Sequence, residues 1–377
     1  MTKISSVCPG TGERLWGRPP WRLGRFGAPR ELPRSIDVAV VGGGLTGVSA
    51  AYHLASAGAR TALFEADHIG SGASGRTGGL ALEGTATGPR DGARDCLPRL
   101  RDLVAELALD CGLHLPGCWE IEHRTLPTLR TLPWVDDGAP IAIARTVPGG
   151  VVEPGALTVG LAEAALAHDA AIYEESWVDQ ISLTAGLRLK VNGEQVSAGH
   201  VVVGLNAWTL ATLPGLTAVQ SALTYACATA PLDVGTLEAI GLAARVPFYT
   251  MDTPYLWGRV CDDGSVVFGA GLTYGEPRQL EDMRVSDPEP AAILERLTRR
   301  VKSLHPALAE VRITAAWAGP VAFREGLLPI LMRHPANDRI LVAGAYAGHG
   351  VAFSVHAGAL MAAAIVGGAP LPSWGGV

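Results

Sequence analysis

The chain has 377 residues, 48% of them hydrophobic and 18% charged, which predicts a packed globular enzyme of two or three domain-sized units and excludes a disordered chain. Its 30 basic and 36 acidic residues leave a net charge of −6, so it has no general attraction for nucleic acid or anionic lipid. No segment near the start reads as a signal peptide, and the apolar stretch Gly350 to Pro370 is too rich in small residues for a membrane span, so a cytoplasmic protein with a buried helix there is expected. Six scattered cysteines (Cys8, Cys96, Cys111, Cys118, Cys227, Cys261) form no C-x-x-C pair, which points to free thiols and no metal site.

Residues 1–35 carry Arg14, Arg18, Arg22, Arg25, Arg30 and Arg34 among Trp, Pro and Gly, and read as a strap lying on the domain that follows. Ile36 to Val41 is a β-branched run suited to a strand buried on both faces. Gly42, Gly44 and Gly47 then supply G-x-G-x-x-G, with Gly43, Leu45 and Thr46 between them. Val48, Ala51, Tyr52 and Ala55 follow at helical spacing, Thr61 to Phe64 reads as a second strand, and Glu65 stands at its carboxyl end. Strand, glycine turn, helix, strand and acid in that order make a dinucleotide fold. The first glycine allows the tight turn, the second admits a pyrophosphate, and the third lets helix and strand pack closely. The helix amino end holds the phosphate charge, and Glu65 accepts hydrogen bonds from a ribose. This motif alone does not separate NAD from FAD.

Gly70 to Gly79, GSGASGRTGG, follows Glu65 and Ala66, with Ser71, Ala73, Ser74, Arg76 and Thr77 among its glycines. That composition suits a loop bringing backbone amides and a few donors against a flat ligand. The segment resembles the second flavin loop of the D-amino acid oxidase family of FAD-dependent oxidoreductases, in particular the branch containing γ-glutamylputrescine oxidase. Thr77 stands where that branch has Asn. The resemblance runs from about Ile36 through nearly all the remaining chain. It implies a Rossmann-like α/β FAD-binding domain with an inserted α+β substrate domain built on an antiparallel sheet. The corresponding segments are 36–90, 146–212 and 315–377 for FAD, and 91–145 and 213–314 for substrate.

Residues 91 to 145 offer little chemistry beyond a helical stretch at Leu100 to Leu109. Val151 to Pro154 leads into a helix at Leu157 to Ala167, and Ala171 to Glu175 reads as a strand. In the resembled family Val178 contacts the adenine through its backbone. A hairpin spans Ile181 to Val196 with Asn192-Gly193 at its turn, and Val201 to Val203 is another buried strand. Asn206, Ala207 and Trp208 follow it, matching a family turn beside the pyrophosphate, although Gly204 and Leu205 depart from the usual pattern. Ala222 to Ala230 and Val266 to Phe268 have strand composition, with Asp262-Asp263-Gly264 marking a turn. Tyr249, Tyr255, Trp257 and Arg259 concentrate aromatic and cationic groups there, as walls of a substrate pocket or as ordinary sheet packing. Pro288 to Lys302 is a helix with an apolar stripe, Arg339 to Ala343 a strand, and Val351 to Val366 a helix. The loop before that helix carries Gly348, His349, Gly350 and Val351, a match to the branch's G-H-G-V. Its helix amino end would face the flavin pyrimidine, with backbone mattering more than the His349 imidazole.

Departures from the family pattern bear on the chemistry. Amino acid oxidases of the family carry W-A-G-x-R-P-x-T, whose arginine pairs with the substrate carboxylate. In Trp317 to Pro329 that position is Val321, and Arg324 takes the Thr position. An amine is therefore expected over a plain α-amino acid, with Arg324 either reading any carboxylate from a new angle or forming a surface ion pair. No Cys lies in that segment and no His lies between Gly70 and Gly79, so FAD is expected to be non-covalent. The lysines Lys3, Lys190 and Lys302 match no oxygen-activating lysine of the family. His349, Arg324 and Tyr255 are the candidate catalytic residues. The implied reaction is oxidation of an amine to imine or aldehyde, with O2 or another electron acceptor and an oligomeric state left open. Two alternatives are a flavin dehydrogenase of a hydroxy acid and a flavin-bearing subunit of a heteromeric complex.

Overall fold

The computed structural model describes residues 15–21, 23–26, 31–123, 129–183, 186–209, 213, 216, 219–251 and 255–376. Lys3, Cys8, Arg14, Arg22 and Arg30 lie outside the described residues. In chain order the strands are β1 (Ser35–Val41), β2 (Thr61–Phe64), β3 (Leu80–Leu82), β4 (Cys118–Glu122), β5 (Arg130–Asp136) and β6 (Ala139–Val147). β7 (Gly149–Val151), β8 (Ala171–Tyr173), β9 (Val178–Ile181), β10 (Arg188–Val191), β11 (Glu194–Val203) and β12 (Val219–Thr229) follow. The last are β13 (Phe248–Thr250), β14 (Trp257–Val260), β15 (Val266–Tyr274), β16 (Ile313–Arg324), β17 (Ile330–His334) and β18 (Asn337–Gly344).

The first sheet runs β17-β18-β11-β1-β2-β8, with β9 and β10 added as a hairpin beside β11. Its central members β18, β11, β1, β2 and β8 are parallel, which explains why Val38, Ala39, Val40 and Val41 are all buried. The turn at Asn192 and Gly193 takes positive φ at both residues, as a two-residue hairpin requires. Helices Leu45–Ser56, Pro154–Ala167 and Gly350–Val366 cover one face. The first and last cross closely: a Cβ at Gly358 would lie 2.6 Å from the Thr46 carbonyl oxygen, and Ser49 Oγ donates to the Val355 carbonyl at 2.6 Å. The stretch at Gly350 is thus a buried helix, and no helix among the described residues is long and apolar enough to cross a membrane.

The second sheet runs β16-β12-β15-β14-β13-β4-β6-β5 and is antiparallel except where β13 meets β4. Helix Pro288–Leu304 packs on it through Leu297, Val301 and Leu304, over a core of Trp134, Phe248 and Phe268. The mixed α/β architecture is the one expected, but two segments pack differently from the anticipated division. Helix Cys96–Glu106, within 91–145, buries Leu97, Leu100 and Leu103 in the core of the first sheet, because its apolar stripe meets the last helix. It also begins earlier than Leu100, since Pro98 is tolerated in a first helical turn. β16, which lies in 315–377 except for Ile313 and Thr314, pairs along its length with β12 in the second sheet.

Described residues of the 1–35 segment contact the chain that follows. Trp16 donates its indole N–H to the Leu280 carbonyl at 2.9 Å, Trp21 to the Gly75 carbonyl at 2.7 Å, and Gly17 bridges Trp317. A buried ion cluster clamps helix Pro288–Leu304 to the second sheet. Asp136 accepts from Arg300 Nη2 at 2.5 Å and Nε at 2.9 Å, and from His123 Nε2 at 2.8 Å. Burial alone would raise the Asp136 pKa, but the bonds from Arg300 and His123 outweigh it and hold the group below its ordinary value of 3.8. A depressed carboxyl stabilises the fold above its unfolded pKa and ceases to do so as pH falls through the folded one. Asp136→Asn is therefore expected to cost about 3 kcal/mol at pH 7. In urea unfolding, the difference from the parent should shrink below about pH 4.

Candidate active site

The glycine turn places the first elements of the site. Gly42 leaves β1 at φ +103°, where a side chain is strained, and its N–H donates to the Phe64 carbonyl at 2.9 Å. A Cβ at Gly47 would fall 1.8 Å from the Gly42 carbonyl oxygen, so helix and strand approach as only glycine permits. Ser74 Oγ accepts from the Leu45 amide at 2.9 Å, which docks the second glycine loop on the first. Glu65 is half-buried at the cavity wall, and burial pushes its pKa up against the opposing amide bonds. Its Oε2 accepts from Gly43 N at 2.7 Å and its Oε1 from Asp67 N at 3.0 Å. Each carboxylate oxygen has two acceptor sites, so Oε2 retains capacity for a ribose hydroxyl.

From Glu65 a single cavity of about 2630 Å³ runs past both glycine loops to the second sheet. Gly42, Gly44, Leu45, Thr46, Glu65, Ala66, Ser71, Ala73, Ser74, Arg76, Thr77 and Gly78 line it. So do Val178, Asn206, Trp208, Gly348, His349, Gly350 and Val351. Gly47, Gly79 and Ala207 do not line it; they act by packing, Gly79 with φ +78° against the Val152 carbonyl and Ala207 in the sheet core. Arg76 serves the protein more than a ligand: its guanidinium donates to the carbonyls of Ser71 (3.0 Å), Gly17 (2.9 Å) and Ala318 (3.4 Å). Asn206 adopts φ +46° and accepts from Ala345 N at 3.0 Å, joining the turn after β11 to the loop before the last helix. In that loop the Tyr346 hydroxyl meets Thr46 Oγ1 at 2.7 Å.

The floor of the far end is one cross-strand row. Arg145 on β6 stands opposite Glu120 on β4, Glu120 opposite Tyr249, Tyr249 opposite Trp257, and Trp257 opposite Gly269. Gly269 stands opposite Ala226, and Ala226 opposite Trp317. Paired residues share a face, so the row presents Tyr249, Trp257, Ala226 and Trp317 to the cavity. The Trp257 ring fits between two glycines: a Cβ would fall 2.1 Å from it at Gly78 and 2.0 Å at Gly269. Tyr255 lines the same end, its hydroxyl donating to the Gly271 carbonyl at 3.1 Å and meeting Thr224 Oγ1 at 2.8 Å. Burial pushes Tyr255 up to about 12, which suits a neutral wall rather than a base. His349 is the residue before helix Gly350–Val366 and makes an edge contact with Tyr249 at 6.2 Å; burial lowers its pKa.

Two expected substrate residues stand elsewhere. Arg259 is buried below the second glycine loop, where its Nε donates to the Gly78 carbonyl and its guanidinium lies over the Trp21 ring at 5.5 Å. Arg324, at the end of β16, does not line the cavity; its Nη2 donates to the Gly376 carbonyl at 2.8 Å. Val321 does line it. Trp317, Thr224, Tyr346 and Glu120 went unselected by sequence reasoning. The one available signal for Glu120 is a carboxyl amid Cys118, Trp119 and Ile121, in a strand otherwise fit for burial.

The donor set fits a flavin dinucleotide. A glycine turn at Gly42 and Gly44 and the carboxylate of Glu65 stand at one end, and the amino end of helix Gly350–Val366 adjoins an aromatic chamber at the other. The profile of the family described as FAD dependent oxidoreductase matches residues 37–364. A glycine oxidase of Bacillus licheniformis is 27% identical over 374 residues, covering 91% of this chain and 96% of the relative. A gamma-glutamylputrescine oxidoreductase of Escherichia coli (strain K12) is 28% identical over 380 residues, covering 89% of this chain and 84% of the relative. The crystal structure of glycine oxidase from Geobacillus kaustophilus superposes with a TM-score of 0.72 at 22% identity, over 90% of this chain and 96% of that one, a likeness of fold.

Proposed function

The chain belongs to the D-amino acid oxidase (DAO) family of FAD-dependent oxidoreductases, and from that premise we propose that it oxidises the C–N bond of an amine or amino acid derivative. The observation carrying this reading is the chamber wall. Val321 lines it beside Tyr249, Tyr255 and Trp257, while among the described lining residues the cations are placed otherwise. Arg25 pairs with Glu175 at 3.5 Å, Lys190 stands on β10, Arg278 and Arg284 lie in or beside helix Pro277–Asp282, and Arg76 holds backbone carbonyls. At the Val321 position itself a substrate α-carboxylate has no guanidinium to pair with.

Bound FAD would supply a hydride acceptor for the hydrogen on the carbon beside nitrogen, with O2 as the final oxidant. For a primary amine the balance is amine, O2 and water giving aldehyde, ammonia and H2O2. The chain's own residues bind, orient and exclude water. Glu65 would accept from the adenosine ribose, and the Gly42 to Thr46 turn and its helix dipole would hold the pyrophosphate. The amino end of helix Gly350–Val366 offers positive potential to charge developing on the ring. Trp257, Trp317 and Tyr255 keep water from the reacting carbon and hold the amine in line. No base is required of the chain, in keeping with the neutral state of Tyr255. Cofactor attachment is proposed to be non-covalent, since segments 70–79 and 317–329 contain no His and no Cys.

The test is the visible spectrum of the purified protein under anaerobic titration with a panel of amines, with glycine included because of the relatives named glycine oxidase. Flavin bands released by acid precipitation, bleaching by an amine and recovery on admitting air are expected. Bleaching by glycine alone would overturn the preference for amines. Bleaching without recovery in air would overturn O2 as acceptor, and a colourless protein that cannot take up FAD would overturn the whole reading.

A further inference from the structure

Behind the chamber wall lies a carboxylate that the reaction above does not use. Glu120 is 5% exposed, and its Oε1 accepts from the Tyr249 hydroxyl at 2.5 Å and from Arg145 Nη2 at 2.9 Å. Arg145 Nε reaches the other oxygen, and the arginine side chain is 65% exposed, so it caps the carboxylate from outside. The three are neighbours in one cross-strand row, so the sheet register itself sets their order: arginine, carboxylate, tyrosine, cavity.

A phenol has one proton to give. Burial alone would raise the Glu120 pKa, but the bonds from Arg145 and Tyr249 hold it below its ordinary value, so it is an acceptor. Burial and the Glu120 bond push Tyr249 well above the usual tyrosine range, so it keeps its proton and donates it. The proton thus points away from the chamber, and the phenol oxygen offers only lone pairs to it. His349 reaches the same polarity by another route. Its Nδ1 stands 3.4 Å from the Ala347 carbonyl oxygen, an atom that can only accept, which favours the tautomer with the hydrogen on Nδ1. Burial favours the neutral ring, which leaves Nε2 as a lone pair. Tyr249 and His349 are in edge contact and both line the cavity.

We propose that Tyr249 and His349 form an acceptor-only clamp for the N–H groups of the substrate, with Glu120 as a positioning residue that keeps the Tyr249 proton out of the chamber. This rests on the C–N oxidation reading for the site, and it adds the selection rule: amine nitrogen is held, and a carboxylate meets two lone pairs and is refused. The selection works by hydrogen-bond polarity, because Arg145 already balances the Glu120 charge.

The experiment uses the holoenzyme and two isosteric probes without an α-hydrogen, tert-butylamine and pivalate, titrated by calorimetry and by perturbation of the flavin spectrum. The parent should bind tert-butylamine at least tenfold more tightly than pivalate. Tyr249→Phe should weaken tert-butylamine about tenfold, the loss of one hydrogen bond to a charged group. Glu120→Leu frees the phenol proton to turn inward, so pivalate should gain and the ratio should collapse. Glu120→Gln, whose amide oxygen still accepts, should keep it. A parent that binds both probes equally would overturn the proposal. So would Tyr249→Phe and Glu120→Leu proteins of parental FAD content whose ratio stays within twofold of the parent. If Glu120→Leu does not retain FAD, the Tyr249→Phe result decides alone. A parent that prefers tert-butylamine yet is bleached by no amine overturns the oxidation reading and leaves the clamp standing. Amine turnover with unmoved selectivity does the reverse.

Discussion

Gly47→Ala should purify almost without flavin. The added Cβ would lie 1.8 Å from the Gly42 carbonyl oxygen, a backbone atom with no rotamer to escape into. Relief requires helix Leu45–Ser56 to retreat from β1 by more than 1 Å, judged from ordinary contact distances. It has nowhere to go. The last helix crosses it so closely that a Cβ at Gly358 would fall 2.6 Å from the Thr46 carbonyl and 2.7 Å from Ala50 N. The strain must instead distort the Gly42 to Thr46 turn, at a cost of about 1–3 kcal/mol or more. Bound FAD should fall at least tenfold, read as the ratio of flavin to protein absorbance and by reconstitution with excess FAD. A variant holding FAD within twofold of the parent would show that this turn is not the cradle.

Gly269→Ala should leave FAD in place and disable turnover. Its Cβ would sit 2.0 Å from the Trp257 ring, which also packs so tightly on Gly78 that a Cβ there would fall 2.1 Å from it. The indole can only swing into the chamber, where it displaces the amine. Misplacement of a reacting group by about 1 Å can cost roughly a hundredfold, and kcat/KM for the preferred amine should fall by about that factor. Trp257→Phe in the Gly269→Ala background removes the clashing ring and should restore part of the loss. Parental kinetics in Gly269→Ala would mean that Trp257 does not shape the chamber.

The cofactor end was legible because it is local. A strand, Gly42 to Gly47, a helix and Glu65 occupy thirty consecutive residues, from Ile36 to Glu65, and each signal sits beside the next. The chamber was legible only as a set of aromatic residues. Its floor joins Glu120, Tyr249, Trp257, Gly269 and Trp317, and pairings between strands so distant in sequence leave no periodic trace along the chain. Segment 91–145 was for that reason read as offering little chemistry, although it supplies Glu120. Arg259 and Arg324 illustrate the complementary error. A guanidinium in the right interval says nothing of what it faces, and each of these donates to a backbone carbonyl.

The strand order of the first sheet also dictates a timetable. β1 and β2 leave the ribosome early, but the partner of β1 on its other side, β11, is made more than a hundred residues later, and β18 later still. Helix Gly350–Val366, which covers helix Leu45–Ser56, comes after them all. At about 5–20 residues per second, the apolar face of the glycine-turn unit waits roughly 15–60 s for that cover. Through this interval the nascent chain has the glycine-turn sequence but no closed cavity, so flavin capture waits for helix Gly350–Val366. A chain stopped short of Gly350 keeps the fingerprint and cannot keep the cofactor.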